Sequence, residues 1–598
     1  MKQHEKIVIL DFGGQYAHLI ASRIRRLKVL AEIADPKKVT PNFLKKENVK
    51  GLILSGGPQS VFEKNAPHCD PKIFDRNIPI LGICYGHQFL AHNLGGKVIP
   101  GKKGEYGRSE VTIDQRCPLF KNIPKKSVFW MNHMDEVARP APEFINAGRT
   151  LHCAHAALYH PKKNIFSVQF HLEVTHSVFG IKVLENFIEI CGMTRDWTMN
   201  QFWKEQKEKL KTLVGKKNIF LFVSGGVDSS VSFLFLTKIF GAKRVRGLFV
   251  DTGMLRKNEV SFVEKSLRKL GAHLTVLREK KYFLQKLKGT TDPEQKREII
   301  GHAFLEVQQK FFQKYKLDAN WLLAQGTIYP DTIETGGTRH ASKIKTHHNR
   351  APQVQKLINQ GKIIEPLKEL YKDEVRELGK LLKLPKNLIQ RHPFPGPGLG
   401  VRILCSEKSR QETIEKSSLQ KTIALPIKSV GVQGDFRTYK HPGILLNMNT
   451  KFDLTEYQKK ATEVINQKKD INRCVILLGK QDKRILNKIN VHKKTITEDR
   501  ILLLQNADHI VTQTLKKMGI YKKVWQFPVV LVPLTINNKG NESIILRPID
   551  SVDAMSASVG KLPKHFFDAV TKKILKEKKI SGVFLDITSK PPGTIEWE

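Results

Sequence analysis

Two doubly wound α/β domains followed by two small α+β subdomains are what this sequence predicts, on three observations. Short apolar runs that end in Gly-rich turns alternate with helix-period segments in two series, one before residue 200 and one from residue 218. The Pro/Gly cluster RHPFPGPGLG (391–400) closes the second series. Beyond it, a helix-period stretch ending in KKDINRCVILLG (468–479) resembles a later one ending in KEKKISGVFLDI (576–587), and a further apolar strand precedes each, ALPIKSVGV (424–432) and FPVVLVPL (527–534). At roughly 150 residues per domain, a chain of 598 residues holds three or four such units.

Taken in order, the first series comprises KIVILDFGG (6–14), KGLILSGGP (50–58), IPILGICYGHQ (78–88) and IFSVQFHLE (165–173), which predict a largely parallel sheet. The polar, Lys-rich and Trp-containing segment at 192–218 reads as a connecting helix, so the first domain is set at 1–200. The second series opens at NIFLFVSGGVDSSVSFLFLTKIFGA (218–242), continues through VRGLFVDTGML (245–255) and reaches NWLLAQGTIYPD (320–331), giving a second domain over 201–403. The faint doubling divides the remainder into subdomains at 404–485 and 486–598.

Composition narrows the function. Hydrophobic residues at 40% and charged residues at 26% support sizeable cores and exclude global disorder. No run approaches the roughly 20 apolar residues of a membrane span, and MKQHEKIVILDFGG carries no cleavable leader, so a cytoplasmic protein without a membrane partner is expected. Seven cysteines, odd in number and without a C-x-x-C pair, argue against a disulfide framework and a Cys-rich zinc site. The net charge of +44 would suit a nucleic-acid partner, but the lysines fall in short pairs along the whole chain, without a basic tail or aromatic interleaving. A solvated Lys-rich surface is the reading, and nucleic acid is not expected as a partner.

Within IPILGICYGHQ an apolar strand runs into Gly82, Cys84 and Gly86, the pattern of a nucleophile elbow. The glycines permit a tight strand-to-helix turn, and the helix start behind Cys84 favours a thiolate. Alone, the pattern equally describes a buried cysteine beside helix-start glycines. In VQFHLE, however, His171 and Glu173 stand two apart on extended backbone, so both side chains share one side and Glu173 can orient an imidazole that serves Cys84. The turn Ser55-Gly56-Gly57-Pro58 has backbone N–H groups that could face a developing oxyanion.

GICYGHQ with a downstream FHxE resembles the class I glutamine amidotransferases. The resemblance implies that Cys84 attacks the carboxamide carbon of glutamine, that His171 relays protons and that Glu173 orients it. It also implies an oxyanion hole made by Gly57 and the Tyr85 N–H, with Gln88 helping to hold glutamine. Where the family commonly has Pro between His and acid, this chain has Leu172.

The loop Ser224-Gly225-Gly226-Val227-Asp228-Ser229-Ser230 lies between a strand and a helix, where free N–H groups and hydroxyls can cradle an anion, and it lacks the spacing and lysine of a Walker A loop. SGGVDSS resembles the pyrophosphate loop of the N-type ATP pyrophosphatases, which implies ATP cleavage between the α and β phosphates, with Mg²⁺ balancing charge near Asp228.

LAQGTIYPDTIET (323–335), KIKTHHN (343–349), IEPLKELYKDEVRELG (364–379), RHPFPGPGLGVR (391–402) and SKPPGTIEWE (589–598) together resemble the glutamine-hydrolysing GMP synthase family almost end to end. That resemblance implies adenylation of xanthosine 5′-monophosphate (XMP) by ATP, then displacement of AMP by ammonia from glutamine to give GMP. It places Arg297, Asp435, Arg437, Gln526, Lys590 and Glu596 at the XMP site, with Phe436 standing where a smaller residue is usual. The doubled C-terminal region resembles the longer form of the family, known from animals. A tandem pair could replace the chain-to-chain contact of shorter members, so a monomer is expected, with a homodimer as the alternative. A tRNA-modifying relative of the loop family would fit the charge, but its usual cysteine pair or RNA-binding module is not visible.

Overall fold

The structure is a computed structural model that describes residues 4–598 except 15, 315–319, 337–361, 414–421, 434–435, 446–451, 480–487, 537–538 and 552–556. The motif KIKTHHN and Asp435 lie outside the described residues. Two compact units form: residues 4–213 with 327–336 and 367–381, and residues 214–326 with 362–366 and 382–598.

The first unit is built on a nine-stranded sheet. Its strands are β1 (Lys6–Leu10), β2 (Leu30–Ala34), β3 (Val49–Leu54), β4 (Ile80–Ile83), β5 (Lys97–Ile113), β6 (Lys126–Arg139), β7 (Ile145–Arg149), β8 (Ala157–His160) and β9 (Ile165–Val168), in the order β2-β1-β3-β4-β9-β8-β7-β5-β6. The five strands from β2 to β9 are parallel, and the continuous burial of β1, β4 and β9 is what two covered faces require. The remaining four, β5 to β8, pair antiparallel, an extension that the strand-and-turn pattern did not disclose.

Residues 327–336 and 367–381, assigned by sequence to the second domain, pack in the first unit. Arg25 is the fastening. Its guanidinium donates to the Glu369 carbonyl (2.6 Å), pairs with Glu374 (3.3 Å) and lies over the rings of Trp197, Tyr329 and Tyr371 at 4.8–5.2 Å. Trp197 Nε1 donates to the other Glu374 oxygen at 2.5 Å. The helix Lys372–Leu381 therefore buries Glu374 together with Val375 and Leu378 because each polar atom of that carboxylate has a donor.

The second unit contains a five-stranded, all-parallel sheet of β10 (Asn218–Phe222), β11 (Val245–Asp251), β12 (His273–Arg278), β13 (Trp321–Ala324) and β14 (Ile363–Ile364), in the order β12-β11-β10-β13-β14. Chain order reverses at β10, so the loop after it opens at a topological switch point.

C-terminal to this lie β15 (Arg410–Thr413), β16 (Thr422–Ala424), β17 (Ser429–Gln433), β18 (Phe436–Leu445), β19 (Ile471–Leu477), β20 (Lys488–Val491), β21 (Val529–Val532), β22 (Leu534–Thr535), β23 (Glu542–Leu546), β24 (Ile549–Asp550), β25 (Ser558–Val559) and β26 (Ile580–Asp586). The doubling is present: β18 and β19 pair parallel across the helix Leu454–Gln467, and β23 and β26 pair parallel across the helix Lys564–Ile574. The two halves are not separate subdomains, however. β19 and β26 pair antiparallel, joining both halves in one sheet ordered β16-β18-β19-β26-β23-β21. The physical reason is that each half alone would leave an apolar strand edge unpaired. A small sheet of β15, β20 and β22 also mixes the halves. Nor does the core break at 403: one cluster runs from Phe220 and Leu248 through Leu504 and Phe566 to Leu585.

Candidate active sites

In the first unit β4 delivers Cys84 to the start of the helix Tyr85–Asn93 with φ +53° and ψ −105°. A Cβ on Gly82 would sit 2.6 Å from the Gly86 carbonyl oxygen, and one on Gly86 only 2.3 Å from that of Leu54, so the elbow closes only with glycine on both sides. The Cys84 N–H donates to the Val168 carbonyl at 2.8 Å, which ties the elbow to the end of β9. From there the chain runs through Gln169 and Phe170 to His171.

His171 Nδ1 lies 2.7 Å from Glu173 Oε1, and both side chains are buried. Because a carboxylate accepts, Nδ1 carries the hydrogen and Nε2 is the nitrogen available to sulfur. Nε2 is buried without a hydrogen-bond partner among the described residues. Burial opposes the imidazolium, but the charges of Glu173 and Cys84 outweigh it and raise the His171 pKa well above the usual histidine range.

Leu172, in place of proline, is fully buried. Rigidity comes from elsewhere: Arg23 Nε donates to the Glu173 carbonyl (3.1 Å), Ser177 Oγ donates to the His171 carbonyl, and the His171 N–H donates to the Trp130 carbonyl (2.9 Å). By contrast, burial pushes the Cys69 and Cys117 thiols up to about 12, leaving them inert.

Gln88 Nε2 donates to the Asp135 carbonyl at 2.8 Å. Gly57 approaches the Phe12 carbonyl so closely that a Cβ would stand 2.7 Å from it, and Tyr85, as the first helical residue, has an N–H without an intrahelical acceptor. Sequence reasoning missed Gln169, whose Nε2 stands 3.8 Å from Cys84 Sγ and whose Oε1 stands 3.3 Å from Gln88 Nε2. It also missed β6, which sets the Asn132 carbonyl 3.6 Å from Cys84 Sγ. The signal for Gln169 was a glutamine inside an apolar strand run.

In the second unit, Ser224 to Ser230 form the turn between β10 and the helix Val227–Phe240. Ser229 Oγ accepts from the Ser224 N–H (3.1 Å) and lies 3.0 Å from Ser224 Oγ, while Gly225 takes φ +74°. Asp228 falls in the first turn of the helix. Arg391, from RHPFPGPG, donates to the Gly225 carbonyl and pairs with Glu259, so this motif holds the loop from behind.

The six residues expected at the XMP site are brought together in part. Gln526 Nε2 donates to Glu596 Oε1 at 3.3 Å. Arg437 pairs with Glu294 (3.1 Å) on the same helix, Pro293–Lys314, that carries Arg297. Arg297 itself donates to the Glu598 carbonyl oxygen. Lys590 is bound through its main chain to Ala557.

Arg402, quoted within a motif but not singled out, grips Glu596 through two hydrogen bonds of 2.9 and 2.7 Å and is wholly buried. The segment 594–597 is further held by Arg473, which donates to the carbonyls of Thr594 and Glu596, and by Trp597 Nε1 on Asp586 (2.9 Å). An arginine within the apolar strand INRCVIL was the signal for Arg473.

Known families match the chain in three successive stretches. The family "Glutamine amidotransferase class-I" matches residues 8–191, "Phosphoadenosine phosphosulfate reductase domain" matches 218–393, and "GMP synthase C terminal domain" matches 513–597. The chain is 45% identical over 610 residues to a probable glutamine-hydrolysing GMP synthase of Leptospira interrogans, covering 100% of both chains. It is 36% identical to the glutamine-hydrolysing GMP synthase of Aquifex aeolicus, again over 100% of both, and 38% identical to that of Thermosipho melanesiensis over 99% of both.

Proposed function

The chain belongs to the glutamine-hydrolysing GMP synthases and carries out glutamine-dependent GMP synthesis; from that premise we propose how its residues divide the work. The observation that carries the proposal is the hydrogen-bonded chain from Glu173 to His171 beside the Cys84 elbow.

Cys84 Sγ attacks the glutamine carboxamide carbon, and the N–H groups of Gly57 and Tyr85 take the oxyanion charge. His171 gives its proton to the leaving nitrogen, releasing ammonia and leaving a thioester. Water, deprotonated by His171, then frees glutamate. Glu173 keeps the imidazole in the required tautomer, and Gln88 positions the substrate.

At the second site, Ser224, Gly225, Gly226, Val227, Asp228, Ser229 and Ser230 cradle the ATP phosphates. The XMP carbonyl oxygen at C2 attacks the α phosphorus and pyrophosphate leaves; ammonia then attacks C2 and AMP departs. Arg297, Asp435, Arg437, Gln526, Lys590 and Glu596 hold XMP. Mg²⁺ accompanies ATP. Its donor chemistry fits here, because a phosphate-bound magnesium ion takes one or two hard carboxylates and Asp228 stands in the first turn behind the loop. When bound, it supplies charge neutralisation on the phosphate oxygens.

We place the glutaminase function in the unit that begins the chain and the ATP and XMP functions in the second unit, which runs on past residue 403 without a break in its core. Among the described residues no helix is long and apolar enough to cross a membrane, and we read the protein as cytoplasmic. We also read it as a monomer, since β19 and β26, the strands that each half could offer to a second copy, already pair with each other. Light scattering with and without XMP and ATP checks this; a stable dimer in both conditions would refute it.

Supplying XMP, ATP with Mg²⁺ and either glutamine or ammonium tests the chemistry. GMP, AMP and pyrophosphate are expected in equal amounts, and ADP in place of AMP would overturn the assignment of the loop.

A further inference from the structure

Apart from the triad, the interior of the first unit gathers a second set of chemically active side chains. Glu105 on β5, His133 on β6 and Cys153 from the turn between β7 and β8 are each at most 7% exposed, and one ligand atom from each lies within 4.8 Å of the others. Sequence spacing could not show this, because the three come from separate strands and a turn.

His133, Glu105 and the Cys153 main chain are each fixed by a neighbouring group. His133 Nδ1 lies 3.0 Å from the Asp135 carbonyl oxygen, which can only accept, so Nδ1 carries the hydrogen and Nε2 turns to Glu105. Thr150 Oγ1 donates to Glu105 Oε2 at 2.9 Å and accepts from the Cys153 N–H at 2.8 Å. A ring nitrogen fixed by a carbonyl and a carboxylate fixed by a hydroxyl are contacts of the kind that orient metal ligands.

The spacing of the His133–Glu105 pair also matches that of two ligands on one ion. Its Nε2 and Oε2 atoms stand 3.3 Å apart. They meet as a hydrogen bond there, longer than a short charged one at about 2.7–2.9 Å. Two donors on one tetrahedral zinc, each about 2.0–2.1 Å from the ion, stand about 3.3–3.4 Å apart. Among the described residues Glu105 has no Lys or Arg partner, so His133 is its one ion-pair partner there. Thiolate, imidazole and carboxylate together suit zinc better than magnesium or calcium.

We propose that Glu105, His133 and Cys153 bind a zinc ion that fastens β5 and β6 to the 150–153 turn. The Asp135 carbonyl accepts from both His133 Nδ1 and Gln88 Nε2, so the ion would also steady the glutamine subsite, a consequence that rests on the role of Gln88 given above.

The full-length protein, produced with zinc in the medium and dialysed against metal-free buffer, should retain about one zinc per chain by mass spectrometry, falling below about one-tenth in Cys153→Ala and in His133→Asn. The unsubstituted protein, stripped and reloaded with Co²⁺, should show a sulfur-to-cobalt charge-transfer band that Cys153→Ser lacks. The band in the unsubstituted protein does not depend on a variant folding, and a cooperative urea transition reports the integrity of each variant. Zinc content unchanged in Cys153→Ala would overturn the proposal, as would an unsubstituted protein that neither keeps zinc nor gives the cobalt band. Glutamine KM measured in parallel on Gln88→Ala tests the role of Gln88 by itself, so failure of the zinc proposal is distinguishable from failure of that role.

Discussion

At Cys84 the reacting groups sit on two short stretches that leave adjacent parallel strands, β4 and β9, and their mutual contacts are already made: His171 on Glu173, Gln169 near the sulfur, Gln88 on the Asp135 carbonyl. The residues we assign to XMP are arranged otherwise. They come from the helix Pro293–Lys314, from β18, from Gln526 ahead of β21 and from 590–596, and Arg437, Arg297 and Glu596 are paired with protein groups that a substrate would have to replace or share, Arg437 with Glu294, Arg297 with the Glu598 carbonyl and Glu596 with Arg402. The difference follows from the chemistry. A covalent nucleophile needs its base and orienting acid in place before glutamine arrives. A site for a charged nucleotide must keep its own charges neutralised until the nucleotide brings replacements.

The comparison is broken most sharply by Cys84→Ala. Glutamine-dependent GMP formation should fall by about 10⁴-fold or more, with ammonium-dependent formation unchanged. Equal loss with both donors would show that the two sites are not separable. Asp228→Ala should do the reverse, lowering pyrophosphate release about 10²- to 10³-fold with either nitrogen donor while thioester formation at Cys84 persists. Near-normal pyrophosphate release in that variant would remove Asp228 from the loop's chemistry.

Arg402→Met sharpens the contrast, because it leaves Glu596 partly buried without its cation. The urea midpoint should drop by the equivalent of about 3 kcal/mol, and the XMP KM should rise with both donors. A normal KM in a destabilised protein would make Arg402 purely structural.

The smallest effect is a pH dependence. The folded-state pKa of His171 is raised, so above the unfolded value of about 6.5 the native protein keeps a proton that the unfolded chain has lost. Its contribution to stability is therefore fully present below that pH and disappears as pH rises through the folded value, at up to about 1.4 kcal/mol per pH unit. Urea midpoints from pH 6 to 9 should show this fall, and His171→Gln should flatten it.

Local chemistry was legible in the sequence wherever the backbone turn itself demands particular residues. The Cys84 elbow needs glycine at 82 and 86, and the phosphate loop needs Gly225 at positive φ. Pairing between distant segments was not. An apolar strand does not say which edge it will cover, so the joining of β19 to β26 and the antiparallel run β5 to β8 emerged only in three dimensions. The amphipathic helix Lys372–Leu381 announced a buried face, but nothing in its spacing named Arg25 as the group it would meet.

That helix carries a consequence for how the protein is made. Because residues 367–381 belong to the first unit, neither unit is a contiguous stretch of chain, and a fragment cut after residue 213 would lose Tyr329 and Tyr371 and bare Trp197 and the Arg25 guanidinium. During synthesis the ribosome must add 168 further residues (381 − 213) before the first unit is whole, a wait of about 10–30 s at typical translation rates of about 5–20 residues per second. For that interval the nascent amidotransferase lacks one wall, and its earliest partner for that surface is whatever the cell offers to growing chains.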